Sequence, residues 1–245
     1  MPISAVVWDI DDTLFDYTGT DRSAALLHFE AEGLLGRFAS SDDALAEWRA
    51  QMEAHYARYL VGETDFPGQR RARVRGFLDA CAPGGAAAPL DDAAADAWFD
   101  RYLELRRDGD GLFPDVLPAL AALTPHYRHG LLSNSDADHQ DRTLRGLGIR
   151  DRFEVLVCSG QLGHAKPAPE AFLAVCAAMD LPPGAVAYVG DRPDIDAAAA
   201  DAAGLHGIWL DRTGDRTAAA SESPRRITGL AALPALLATL AAPTS

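Results

Sequence analysis

The stretch Ala5-Val6-Val7-Trp8-Asp9-Ile10-Asp11-Asp12-Thr13-Leu14 decides how this chain is read. Its first four residues are apolar without alternation, the pattern of a strand buried on both faces, and the run stops abruptly in aspartates. Two carboxylates one residue apart at a strand end are costly to ionise together unless a cation neutralises them. With Mg2+ beside them, Asp9 is a candidate nucleophile and Asp11 a candidate proton shuttle. Taken alone, the pair equally suits the capping of a turn, where aspartate is common.

Working outward, similar apolar runs recur at Gly130-Leu131-Leu132, Val155-Leu156-Val157, Val186-Ala187-Tyr188-Val189 and Gly207-Ile208-Trp209-Leu210. Between them, residues 114–123, 138–147, 170–179 and 194–203 carry helical spacing, and Gly148 and Gly204 stand at two of the helix ends. Strand and helix thus alternate from about residue 112 onward, which predicts βαβ units and a parallel sheet. The fold class expected is α/β, a doubly wound, Rossmann-like core.

Residues 18–110 break the alternation and read as helices only, over 21–38, from an N-cap at Ser41, over 68–82 and over 91–107. The expected organisation is a core of residues 1–17 and 111–245 with an inserted all-helical domain, 18–110. Trp48, Tyr56, Tyr59, Trp98 and Tyr102 are spaced like packing residues of that insert. Asp211-Arg212 and the polar run 213–224 read as a surface loop, and residues 229–242 as an amphipathic helix.

The 245 residues carry a net charge of −14, which disfavours nucleic acid and anionic lipid as partners. Cys81, Cys158 and Cys176 form neither a disulfide framework nor a zinc motif, and are expected as small buried hydrophobes. No apolar stretch is long enough to span a bilayer, and no signal peptide fits the start. A cytoplasmic protein, monomer or homodimer, is expected. An acidic protein acting on phosphate esters would need a locally cationic site.

Three further segments lie just past predicted strand ends, the edge where a parallel sheet opens its ligand crevice. Ser133-Asn134 offers a hydroxyl at a helix start, where an N-cap is an equally good explanation. Lys166 stands between Gly163 and two prolines, Pro167 and Pro169, on a stiffened turn that fixes its charge. Asp191, with Asp196 a turn into the next helix, suits a hard cation, although acidic groups at a helix start are also favoured by its dipole.

Together, Asp9-x-Asp11-x-Thr13, Ser133-Asn134, Lys166-Pro167 and Gly190-Asp191-x-x-x-x-Asp196 resemble the four motifs of the haloacid dehalogenase (HAD) superfamily, over essentially the whole chain. The insert falls where that family places a C1-type cap, as in its phosphoglycolate phosphatases, pyrimidine-nucleotide phosphatases and dehalogenases. The resemblance implies a Mg2+-dependent phosphatase for a small phosphorylated metabolite of the nucleotide, phosphoglycolate or sugar-phosphate type. It implies Asp9 as nucleophile and Asp11 as acid and base. Ser133, the Asn134 amide and Lys166 would bind phosphate, and Asp9, the Asp11 carbonyl and Asp191 the metal, with Asp196 and Thr13 in support. Dehalogenases of the family resemble Asp-x-Tyr-Gly-Thr at the first motif; Asp11 in place of that tyrosine points to phosphoryl transfer. A phosphomutase, or a non-catalytic binding protein on the same fold, is the alternative. Roles for His28, His55, His164 and Arg192 are not readable.

Overall fold

A computed structural model describes residues 2–82, 84, 88–109, 111–213 and 225–241. The chain opens with β1 (Ala5–Trp8) and continues through α1 (Tyr17–Ala31), α2 (Ser41–Leu60), α3 (Phe66–Cys81) and α4 (Asp92–Gly109). It then runs α5 (Val116–Leu123), β2 (Arg128–Ser133), α6 (Ala137–Gly146), β3 (Val155–Cys158), α7 (Ser159–Leu162), α8 (Pro169–Ala178) and β4 (Val186–Gly190). After a π-helical turn, Pro193–Ala198, come α9 (Ala199–Ala202), β5 (His206–Leu210), β6 (Arg226–Ile227) and α10 (Leu233–Ala241). The contacts divide the chain into two compact units, Met1–Asp16 with Gly111–Ser245, and Tyr17–Asp110. No described helix is long and apolar enough to cross a membrane.

The first unit holds a sheet ordered β3-β2-β1-β4-β5-β6, every pairing parallel. Burial on both faces explains the unalternating apolar runs of β1 and β4, whose residues are all buried. Strand order reverses between β1 and β4, the place where such sheets bind ligands. Registers there pair Trp8 with Leu131 of β2 and with Val189 of β4, so the C-terminal ends of the three strands lie level. One face is packed by Phe172, Val175 and Cys176 from α8, with Met179 just past its end, against Val7, Leu132 and Tyr188.

The structure departs from the expected pattern at the sheet's margins. β3 is an edge strand and half-buried over Val155–Val157, although its apolar run resembles a central strand. β6, two residues long, was too short to leave a periodicity, and closes the opposite edge. Asp211 and Arg212 are not a surface loop. Asp211 is buried and pairs with Arg226, and the Arg212 guanidinium lies 3.7 Å over the Phe113 ring. Most of the polar run expected after them, residues 214–224, lies outside the described residues.

The second unit is helical. Phe29, Trp48, Phe77 and Trp98 form its aromatic centre, with ring centroids 4.3 Å apart for Phe29 and Phe77 and 5.6 Å for Trp48 and Trp98. His28 is buried edge-on against Trp98. Tyr102 belongs to this core, whereas Tyr56 and Tyr59 are half-buried at its margin, their rings tilted against each other and, for Tyr59, edge-on to Phe66. The helix expected over 21–38 begins earlier, at Tyr17, and breaks near Gly33, whose φ of 67° suits glycine. Ser40, not Ser41, caps α2, accepting from the Asp43 amide at 3.1 Å. All three cysteines are buried and free.

Candidate active site

Asp9 follows β1 directly, and its amide still donates to the Val189 carbonyl at 2.8 Å, so the sheet itself sets its position. The chain then turns within one loop. Thr13 and Leu14 amides reach back to the Ile10 carbonyl, and Asp12 takes a φ of 58°, a left-handed conformation that aspartate tolerates better than most residues. Thr13 Oγ1 donates to Asp9 Oδ2 at 3.3 Å. Its carbonyl accepts from Arg212 at 2.7 Å, and Arg212 also pairs with Asp115 at 3.1 Å. Burial pushes the Asp115 carboxyl up, but Arg212 and the Leu230 amide outweigh it and hold its pKa below the ordinary value.

Lys166 sits on a turn at residues 166–167, before α8, with a cis peptide bond to Pro167. It is 5% exposed, and its ammonium donates to Asp9 Oδ1 at 2.6 Å, to Asp196 Oδ1 at 2.7 Å and to the Tyr188 hydroxyl at 2.8 Å. An ammonium has three protons, so each has a protein acceptor. Burial alone would lower the Lys166 pKa, but Asp196 and Asp9 outweigh it and raise it well above the usual lysine value. The ammonium is thus locked in place between two carboxylates.

Asp196 is delivered by the π-helical turn, where the Ala197 amide reaches the Arg192 carbonyl five residues back at 3.3 Å. One Asp196 oxygen faces Lys166 and Tyr188, and the other accepts from the Arg192 amide at 3.0 Å. Gly190 is required beside it, since a Cβ there would run into the Asp196 side chain. Arg192 itself is exposed and lies 3.7 Å from Asp194.

Asp9, Asp191 and Asp196 can each offer one carboxylate oxygen, all within 4.8 Å of one another. Asp191 takes no side-chain hydrogen bond from the described residues, while its carbonyl accepts from Trp209 Nε1 at 2.9 Å. Burial raises the Asp9 pKa to about 7, with Asp196 and Asp11 adding to the rise and Lys166 opposing it. Burial, Asp9 and Asp196 raise that of Asp191 to about 8. A site that holds protons for want of positive charge is chemically suited to a hard divalent cation.

The second segment meets the third directly. Asn134 Nδ2 donates to the Lys166 carbonyl and the Lys166 amide to Asn134 Oδ1, both at 2.7 Å. Ser133, at the end of β2, and Asp11 both lie within hydrogen-bonding reach of the buried Gln140 amide. His164 is exposed next to this group and His55 is half-buried in the helical unit. Tyr188, Gln140 and Arg212 were missed by the sequence reading. A phenol within an otherwise aliphatic buried strand was the signal for Tyr188. For Gln140 and Arg212 there was no comparable mark.

The family model described as haloacid dehalogenase-like hydrolase matches residues 3–204. A phosphoserine phosphatase of Thermus thermophilus is 31% identical over 226 residues, covering 83% of this chain and 87% of the relative. A 2-haloacid dehalogenase of Pseudomonas syringae shares the fold at a TM-score of 0.70 with 28% identity, covering 97% of this chain and 99% of the other. The HAD-hydrolase YfnB of Bacillus subtilis, solved bound to magnesium, superposes at 0.78 with 18% identity, covering 97% of this chain and 100% of the other. The chain belongs to the haloacid dehalogenase-like hydrolase family.

Proposed function

We propose that this chain is a magnesium-dependent phosphatase of a small phosphorylated metabolite, working through a covalent phosphoaspartate at Asp9. The observation that carries the reading is the meeting of Lys166 with Asp9 at 2.6 Å inside a group that also holds Asp191 and Asp196. The 31% identical phosphoserine phosphatase supports it. So does Asp11, because a carboxyl group two residues past the nucleophile supplies the proton that an alkoxide leaving group needs.

The carboxylates of Asp9 and Asp191 and the backbone carbonyl of Asp11 would hold Mg2+, with Asp196 kept on Lys166 and the Arg192 amide. When bound, the cation supplies positive charge for the phosphoryl oxygens and keeps Asp9 ionised. Asp9 attacks phosphorus, and the bond from phosphorus to the ester oxygen breaks as Asp11 gives that oxygen a proton. Asp11 then takes a proton from the water that attacks the phosphoaspartate, which releases inorganic phosphate and restores Asp9. Ser133 and the Asn134 amide bind the equatorial oxygens, and Lys166 adds its charge beside Asp9. The helical unit, residues 18–110, is assigned the role of a cap that selects the leaving group.

The test is a panel of phosphoserine, phosphoglycolate, nucleoside monophosphates and sugar phosphates, with and without Mg2+. Turnover is expected for at least one class, dependent on Mg2+, and lost in Asp9→Asn with the fold intact. Retained activity in that variant sinks the mechanism.

A further inference from the structure

Gln140 is a polar side chain where a helix packed on a sheet normally carries an apolar one. It is 1% exposed and lies one turn into α6. Its Nε2 is 3.1 Å from Asp11 Oδ2 and 3.3 Å from Ser133 Oγ, while its buried Oε1 has no hydrogen-bond partner among the described residues. An orphaned buried carbonyl costs free energy that a leucine or methionine of similar size would avoid. The amide end facing the site is what the cost retains.

The helix that carries Gln140 is itself fixed. Asp136 caps it by accepting from the His139 amide at 2.9 Å. Gln161 secures the same end, donating to Asp136 at 3.0 Å and accepting from the Ala137 amide at 3.0 Å. Gln140 therefore presents its N–H donors from a rigid support rather than from a loop.

We propose that Gln140 is a positioning residue for proton transfer. Its amide holds the Asp11 carboxyl in the orientation that meets the leaving oxygen, and ties the Ser133 hydroxyl to the same anchor. The inference rests on the phosphatase reading above, in which Asp11 is the acid and Ser133 a phosphate ligand. A carboxylate on a loop gains from such a restraint, because proton transfer demands that donor and acceptor meet within hydrogen-bonding distance.

The test compares kcat/KM, which reports the step that expels the leaving group, on two esters with saturating Mg2+. One is p-nitrophenyl phosphate, whose phenolate leaves without a proton. The other is an alkyl phosphate, whose alkoxide needs one. Gln140→Met is expected to lose about threefold on both esters through Ser133, and on the order of tenfold more on the alkyl ester alone, within the range that general acid catalysis contributes. Gln140→Leu is run beside it, so that a fold failure in one variant leaves the other to decide. Asp11→Asn serves as the reference and is expected to lose on the order of 100-fold more on the alkyl ester. Adding Gln140→Met to Asp11→Asn should then cost the alkyl ester no more than it costs the aryl ester.

Equal losses on both esters in folded Gln140 variants, beside a selective loss in Asp11→Asn, overturn the role of Gln140 and leave the phosphatase reading standing. An unselective loss in Asp11→Asn overturns the acid role of Asp11, and the inference falls with it.

Discussion

Asn134 and Lys166 hold each other by a reciprocal pair of hydrogen bonds, side-chain amide to backbone amide, each 2.7 Å long. The pair fastens the turn that carries Lys166 to the residue that follows β2. Asn134→Ala leaves the Lys166 amide and carbonyl without these partners and should destabilise the protein by about 1–3 kcal/mol. Displacing the cation should also lower kcat by up to about 100-fold. Urea denaturation and steady-state assays measure the two effects, and an unchanged kcat would show that the clamp does not serve the site.

Lys166 is the only cation within hydrogen-bonding distance of Asp9 among the described residues, and it pairs with Asp196 as well. Lys166→Met would leave two buried carboxylates facing each other. The cost expected is about 3–5 kcal/mol in metal-free protein above pH ~8, with loss of turnover. Below pH ~6 the cost should shrink, since protonation of Asp9 relieves the repulsion. A variant as stable as the parent at both pH values contradicts the described ion pair.

Mg2+ binding should strengthen as pH rises. Asp9 and Asp191 have pKa values raised to about 7 and about 8, against 3.8 for an ordinary aspartate, so the folded metal-free protein holds protons there that the unfolded chain has lost. The sign follows from linkage: the stabilisation from these two groups is fully present below pH ~4 and is lost as pH rises to ~8 and they are forced to ionise. A bound cation reverses the penalty. The Mg2+-induced rise in Tm should therefore be larger at pH ~8.5 than at pH ~6, read from paired melting curves. A rise independent of pH would mean that the cation displaces no protons from this group.

Arg212 links the loop after Asp9 to Asp115 and, through Asp115, to the Leu230 amide. Arg212→Met keeps much of the packing over Phe113 but removes the fork, and should cost about 2 kcal/mol with a fall in kcat. Arg212→Lys should recover only part of either loss, because an ammonium lacks the planar geometry that serves two acceptors at once. Full recovery by lysine would show that charge alone matters there.

Much of the fold was legible because strand burial leaves a strong mark. Ala5–Trp8 and Val186–Gly190 are buried at every position since both sheet faces are covered. The edges were less legible. Val155–Val157 has the composition of a central strand but pairs on one side only, and Arg226–Ile227 is too short for any periodicity. At the site, Asp9, Lys166 and Asp196 meet in one hydrogen-bonded group and Asp191 joins the acidic cluster, while Ser133 and Asp11 meet through Gln140. The partners that hold them were not legible. Gln140 meets Asp11 across 129 positions of sequence, and Arg212 meets Thr13 across 199.

The linear sequence alone determined the alternation of strand and helix, the helical insert, and which residue types stand at the strand ends, because burial and turn chemistry act locally. Only the tertiary structure decided that all three protons of Lys166 have protein acceptors, that Asp196 faces Lys166 while Asp191 takes no side-chain hydrogen bond from the described residues, and that Gln140 lies beside Asp11. The physical reason is that hydrogen bonds and charge pairs act over about 3 Å in space, a distance that residues remote along the chain reach only once the sheet has brought its strand ends level.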